Sequence, residues 1–274
     1  MRKLERLFAA FSLLLVSLLI AIPNGLAQSS NRWSAASQMA QSRTGAAAAV
    51  LSDGRLLITG GMDNNGVPQT SAEIFDPVTG QFTQAAAMHV AHANHAAIAL
   101  TTGDVLVTGG LTNGGGYSDT AEIFSAETNS WTLLEASLGS GLAKHAMATL
   151  PDGNVLIAGG ESSSGPVPTL LLFRLSDQSI SPVGSLLTAR TDAAAAATPD
   201  GRVLIAGGKD INGAVLNSTE IFIYNPDALS GTISRGPNMT SSRTNATATT
   251  TYHGVAVIGG SNGSGDLGSA EIFS

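Results

Sequence analysis

The 274-residue chain has no cysteine, which excludes disulfides, thiolate metal sites and cysteine nucleophiles. Aromatic residues are scarce at 5%, and charged residues at 12%. Positive charge is scarcest, with 13 Lys and Arg against 20 Asp and Glu, a net charge of −7. So few cations cannot neutralise many phosphates, which argues against nucleic acid or an anionic membrane face as the main partner. Helical periodicity is missing as well. What the chain has in quantity is glycine, 32 residues of it, and the glycines recur at intervals.

The first 27 residues are set aside before any fold argument. Arg2, Lys3 and Arg6 precede an apolar run from Leu7 to Ile22, and Gly25-Leu26-Ala27 offers small residues at a cleavage site. That is the pattern of a signal peptide, and the run is short of the ~20 residues of a membrane-spanning helix. The expectation is therefore an exported protein, secreted or periplasmic, with residues 28–274 as its mature domain. Removing residues 1–27 takes three cations and one acid, leaving a net charge of −9.

Within residues 28–274 one unit is repeated. Glycine pairs stand at Gly60-Gly61, Gly109-Gly110, Gly159-Gly160, Gly207-Gly208 and Gly259-Gly260, spaced by 49, 50, 48 and 52 residues. Each pair follows an apolar strand, RLLIT, DVLVT, NVLIA, RVLIA or GVAVI, and upstream lies a strand of small residues with a tight turn between the two. About twelve residues beyond the pair comes a third strand, Ala-Glu-Ile-Phe or Thr-Glu-Ile-Phe in four copies and degenerate at Leu170 to Phe173. A fourth strand carries Phe82 or Trp131. A period near 50 with only strands predicts the blades of a propeller. Alanine-rich first strands suit the narrow axis, and continuously apolar second strands suit burial on both faces.

The glycine pair, the downstream aromatic and the Arg or His ahead of the first strand resemble the kelch repeat across the whole mature chain. The resemblance implies an all-β, five-bladed kelch β-propeller of four-stranded antiparallel blades, approximately 38–88, 89–138, 139–187, 188–239 and 240–274 plus 28–37. Trp33 lies 49 residues before Phe82, so Asn31 to Ser37 is expected to supply the fourth strand of the last blade. Five phenylalanines fall in one column, while Phe82 shares another with Trp33 and Trp131. Packing between blades thus accounts for every Phe and Trp of residues 28–274, and only tyrosines remain for a sugar platform.

In a four-stranded meander the fourth-to-first and second-to-third connections share a rim. That rim gathers Arg43, Asn64, His92, His95, Asn113, Tyr117, Lys144, His145, Arg190, Asp192, Lys209, Arg243 and Asn245 as candidate ligand-binding residues. The resemblance implies that this rim engages peptides or small ligands, and its cations point to an acidic peptide or a carboxylated sugar. The competing reading pairs the arginine column with Glu73, Glu122, Glu220 and Glu271 as struts between blades. His89, His92 and His95 recur every third residue, but on a connection leading into a first strand that spacing does not guarantee convergence, and no metal or other cofactor is expected.

Similarity to the galactose oxidase propeller implies no copper chemistry here, because that centre needs a cysteine cross-link. Sialidase boxes are missing, and no catalytic residue is assigned. The expected function is a non-catalytic binding module for a protein or a small anionic or carbohydrate ligand. The alternative is a cofactor-free sugar enzyme of the sialic-acid mutarotase kind.

Overall fold

The computed structural model describes residues 35–274; the segment expected to be a signal peptide, and Asn31 to Ser34 of the strand expected over Asn31–Ser37, fall outside them, and residues 35–37 are not in a strand. No helix occurs among the described residues. Blade 1 is a meander of β1 (Ala47–Val50), β2 (Leu56–Thr59), β3 (Ala72–Asp76) and β4 (Gln81–Gln84), paired antiparallel in that order. Blade 2 repeats it with β5 (Ala96–Ala99), β6 (Val105–Thr108), β7 (Ala121–Ser125) and β8 (Ser130–Leu133). Blade 3 uses β9 (Ala146–Thr149), β10 (Val155–Ala158), β13 (Thr169–Phe173) and β14 (Ile180–Ser185). Between its second and third strands sits a small ribbon of β11 (Glu161–Ser162) and β12 (Gly165–Pro166). Blade 4 contains β15 (Ala194–Ala197), β16 (Val203–Ala206), β17 (Thr219–Asn225) and β18 (Ser230–Arg235). Blade 5 contributes β19 (Thr247–Thr251), β20 (Gly254–Ile258) and β21 (Ala270–Phe273) among the described residues.

The sequence pattern explains the layering. Second strands are sandwiched on both faces, so β6, β10 and β16 are buried at every position. The third-strand phenylalanines fill the gaps between sheets; Phe124, Phe173 and Phe222 are completely buried. Phe124 packs on Trp131 with ring centroids 5.0 Å apart, and each such side chain contributes roughly 1.5–3 kcal/mol by burial.

Four of the five glycine pairs close a blade-to-blade contact. The second glycine donates its N–H to a carbonyl of the next blade, from Gly61 to His92, Gly110 to Leu142, Gly160 to Arg190 and Gly208 to Arg243, at 2.7–2.8 Å. A β-carbon on the first glycine would stand on that same carbonyl oxygen, only 2.1 Å away at Gly109. Both glycines of every pair also have positive φ, so no other residue fits without strain. First strands stack in sequence around the axis, β1 beside β5, then β9, β15 and β19.

Among the described residues the series stops at blade 5. Gly259 meets only the Leu267 carbonyl oxygen, at 3.7 Å, and the Gly260 N–H has no partner in blade 1. Val50 in blade 1 and Ile258 and Ile272 in blade 5 are exposed.

Candidate functional site

The expected rim exists. Isolated bridges Thr44–Met62, Ala93–Leu111, Ala143–Glu161, Thr191–Lys209 and Thr244–Ser261 tie each first-strand entry to the residue after the glycine pair of the same blade. Both kinds of connection therefore lie side by side at one end of the propeller.

Three rim arginines face inward. Arg190 Nη2 pairs with Glu220 Oε1 at 2.7 Å, while Nη1 donates to the carbonyls of Gly207 and Ser218. Arg43 and Glu73 repeat the arrangement at 3.0 Å, as do Arg243 and Glu271 at 3.1 Å. All three arginine side chains are at most 1% exposed, so the basic character expected of the mouth rests on lysines instead. The pairs join strands within a blade, not neighbouring blades. The glutamates also bind the incoming connection, Glu220 accepting the Leu187 and Thr188 N–H groups.

Blade 2 replaces arginine with His92, whose Nε2 lies 3.4 Å from Glu122 Oε1, and His89 Nδ1 joins the same carboxylate at 2.9 Å. Burial alone would raise the Glu122 carboxyl, but these bonds and the His89 and Val90 N–H groups hold it below the ordinary glutamate value. Blade 3 replaces both partners, with Leu142 against Leu171 in an apolar cluster.

His95 and His145 wedge between blades. Their Nε2 atoms bond Thr59 and Thr108 of the preceding blade at 2.7 and 2.8 Å. Burial pushes them down to pKa values of about 3 and about 4, with the neighbouring His92 and His145 adding to the shift at His95. They are neutral packing groups. His89 and His92 share Glu122 while His95 turns to Thr59, and no metal-holding cluster occurs among the described residues.

One residue column faces the axis. Gly45, Asn94, Lys144, Asp192 and Asn245 all have positive φ, between 52° and 67°. Their backbones are linked in series: Asn94 N–H donates to Gly45, Lys144 to Asn94, Asp192 to Lys144 and Asn245 to Asp192, at 2.7–3.1 Å. The main chain links this series, and the side chains of Asn94, Asp192 and Asn245 make no hydrogen bond among the described residues.

Around the middle of that ring the polar groups gather. Lys144 Nζ pairs with Glu161 Oε1 at 2.9 Å, Tyr117 Oη donates to the same oxygen at 3.2 Å, and Thr191 Oγ1 reaches Oε2 at 3.5 Å. Burial raises Asp192 above the ordinary aspartate value, against the pull of Lys144 and Lys209. Burial lowers the Lys144 ammonium, but Glu161 and Asp192 more than offset it and hold it high. Burial and the Glu161 charge raise Tyr117. Asp192 has no side-chain hydrogen bond among the described residues.

The expected residues thus divide. Tyr117, Lys144, Asp192 and Lys209 come together, and Asn245 continues the ring. Arg43, Arg190, Arg243, His92, His95 and His145 are built into blades. Asn64 accepts a bond from Ser42, and Asn113 stands exposed at a loop tip. Missed from the sequence were Asn94, Glu161 as the hub, and Thr191. The signal for Asn94 was its alignment with Lys144 and Asp192, two residues before each first strand.

A family model for the Kelch motif matches residues 43–89 and 92–135. No curated protein matches the chain by sequence. Among solved structures, that of YjhT superposes with a TM-score of 0.73 at 15% identity, covering 87% of this chain and 84% of that one. A fungal alcohol oxidase of the AA5 family, solved in complex with copper, gives 0.62 at 16% identity over 80% of this chain and 47% of that one. At these identities the likeness speaks for the fold. Blades stacked through glycine pairs about a common axis make this protein a β-propeller. Within that class, residues 43–89 and 92–135 carry the Kelch motif.

Proposed function

We propose that this protein is an exported binding module that holds a small anionic, hydroxyl-rich ligand such as a carboxylated sugar at the axial mouth. The observation that carries the reading is the cluster of Lys144, Glu161, Tyr117 and Asp192, drawn from three blades and built around two residues of the backbone-linked series. Lys144 supplies the charge for a carboxylate. Glu161, Asp192 and Asn245 supply hydrogen-bonding groups for hydroxyls.

Titration calorimetry against uronic and sialic acids, with anionic peptides alongside, tests this. Lys144→Gly suits the φ of 54° and is expected to weaken binding roughly ten-fold or more, the worth of a charged hydrogen bond. Arg202→Ala, on the opposite rim, leaves it unchanged. Absence of binding by every anionic ligand, or indifference to Lys144, overturns the proposal.

A second reading, a cofactor-free sugar enzyme, draws on Asp192. A buried carboxyl beside the Lys144–Glu161 pair, raised by its burial, is a group able to exchange a proton with a bound sugar. Exchange of sugar anomers followed by NMR, accelerated by the protein and abolished in Asp192→Asn, would select it.

A further inference from the structure

We infer that Asn113 is a site of spontaneous covalent modification, deamidating through a succinimide well ahead of its counterparts in the other blades. This inference is independent of the ligand at the mouth. Four second-to-third loops carry Asn-Gly at their tips, at Asn65, Asn113, Asn212 and Asn262, and each following glycine has positive φ. The reaction needs the glycine backbone nitrogen as nucleophile and the asparagine side-chain carbonyl carbon as electrophile. Any bond that holds either group slows it.

Three of the loops hold them. Gly66 N–H donates to the Asp63 carbonyl and Gly213 N–H to the Asp210 carbonyl, each at 3.0 Å. The aspartate side chains add bonds to the N–H groups of Asn65 and Val67, and of Asn212 and Ala214. In the last blade Gly263 N–H reaches Ser261 Oγ, and Asn262 Oδ1 accepts from Ser264 and Gly265. The blade 2 loop differs, having Thr112 where two others have aspartate. Its ring closes through Gly115 N–H to Thr112, one residue later, and among the described residues Gly114 N–H and the Asn113 amide are both without partners. Gly114 and Gly115 are exposed, with open space where a β-carbon would project.

The chemistry balances without a cofactor. The Gly114 nitrogen bonds to Asn113 Cγ, the side-chain nitrogen leaves as ammonia carrying the displaced proton, and water then opens the imide at either carbonyl. The products are aspartate and isoaspartate. Both add one negative charge to the groove that Asn113 lines with Val67, Pro68 and Leu111.

Incubation of the full chain at mildly alkaline pH, with peptide mapping by mass spectrometry and isoaspartate detection, decides the matter. Asn113 is expected to convert at least roughly five-fold faster than Asn65 or Asn212, the worth of one backbone hydrogen bond. Asp63→Ala should accelerate Asn65 in turn. Equal rates at the three loops, earlier conversion of Asn65 or Asn212, or an unaltered Asn65 rate in Asp63→Ala overturns the inference.

Discussion

His95 and His145 show how much a single side chain can commit. Each imidazole sits against a threonine of the preceding blade, Thr59 or Thr108, and the other two interfaces put Ala158 opposite Ala193 and Ala206 opposite Ala246 in the same places. Two of the four joints are therefore polar and two are alanine on alanine. The polar ones carry a pH dependence. An unfolded histidine takes up its proton near 6.5, whereas the folded ones resist until about 4 and about 3. Their contribution is intact above pH 6.5 and is lost as pH falls from there towards 3, at up to about 1.4 kcal/mol per pH unit for each histidine. Urea denaturation from pH 7 to 4 should show the decline, and Thr59→Ala/His95→Ala, which copies the alanine joints, should flatten it. A double variant with unaltered slope would show that the dependence arises elsewhere.

At the level of the strand and its partner, the Arg–Glu clasp invites a direct comparison within the molecule, because blade 3 replaces it with Leu142 and Leu171. Arg190→Ala leaves Glu220 buried beside an empty space and is expected to cost about 3–5 kcal/mol. Arg190→Leu/Glu220→Leu should recover most of that. It should not recover all, since the N–H groups of Leu187 and Thr188 lose their acceptor. Equilibrium unfolding of the single and double variants provides the measurement, and a double variant as damaged as the single one would refute the equivalence. The same elements show what could be read from sequence. Strand order, the alanine axis, the glycine joints and the aromatic columns follow from repetition, because every copy faces the same packing problem. The role of the arginines did not follow. A repeated cation at a loop signals a ligand and a strut alike, and only the backbone carbonyls of Gly60, Gly207 and Gly259 around the guanidiniums decide between them. Glu161 as the hub was illegible for another reason: it gathers partners from three blades, and no repeat pattern records that.

Across the whole molecule, position in the array outweighs position in the repeat. Ile221 and Ile272 occupy the same place in blades 4 and 5, yet the first is 8% exposed and the second 68%. Ile221→Ala is expected to cost about 2–5 kcal/mol and Ile272→Ala less than about 0.5 kcal/mol. Thermal unfolding of the two variants checks it, and equal losses would mean that the face of blade 5 is covered in solution. The serial backbone links through Gly45, Asn94, Lys144, Asp192 and Asn245 have a separate consequence. Since amides and carbonyls alone carry that girdle, its side chains work like interchangeable pegs on a fixed board. A new recognition surface can be written there by exchanging a few of them, with the architecture beneath left as it stands.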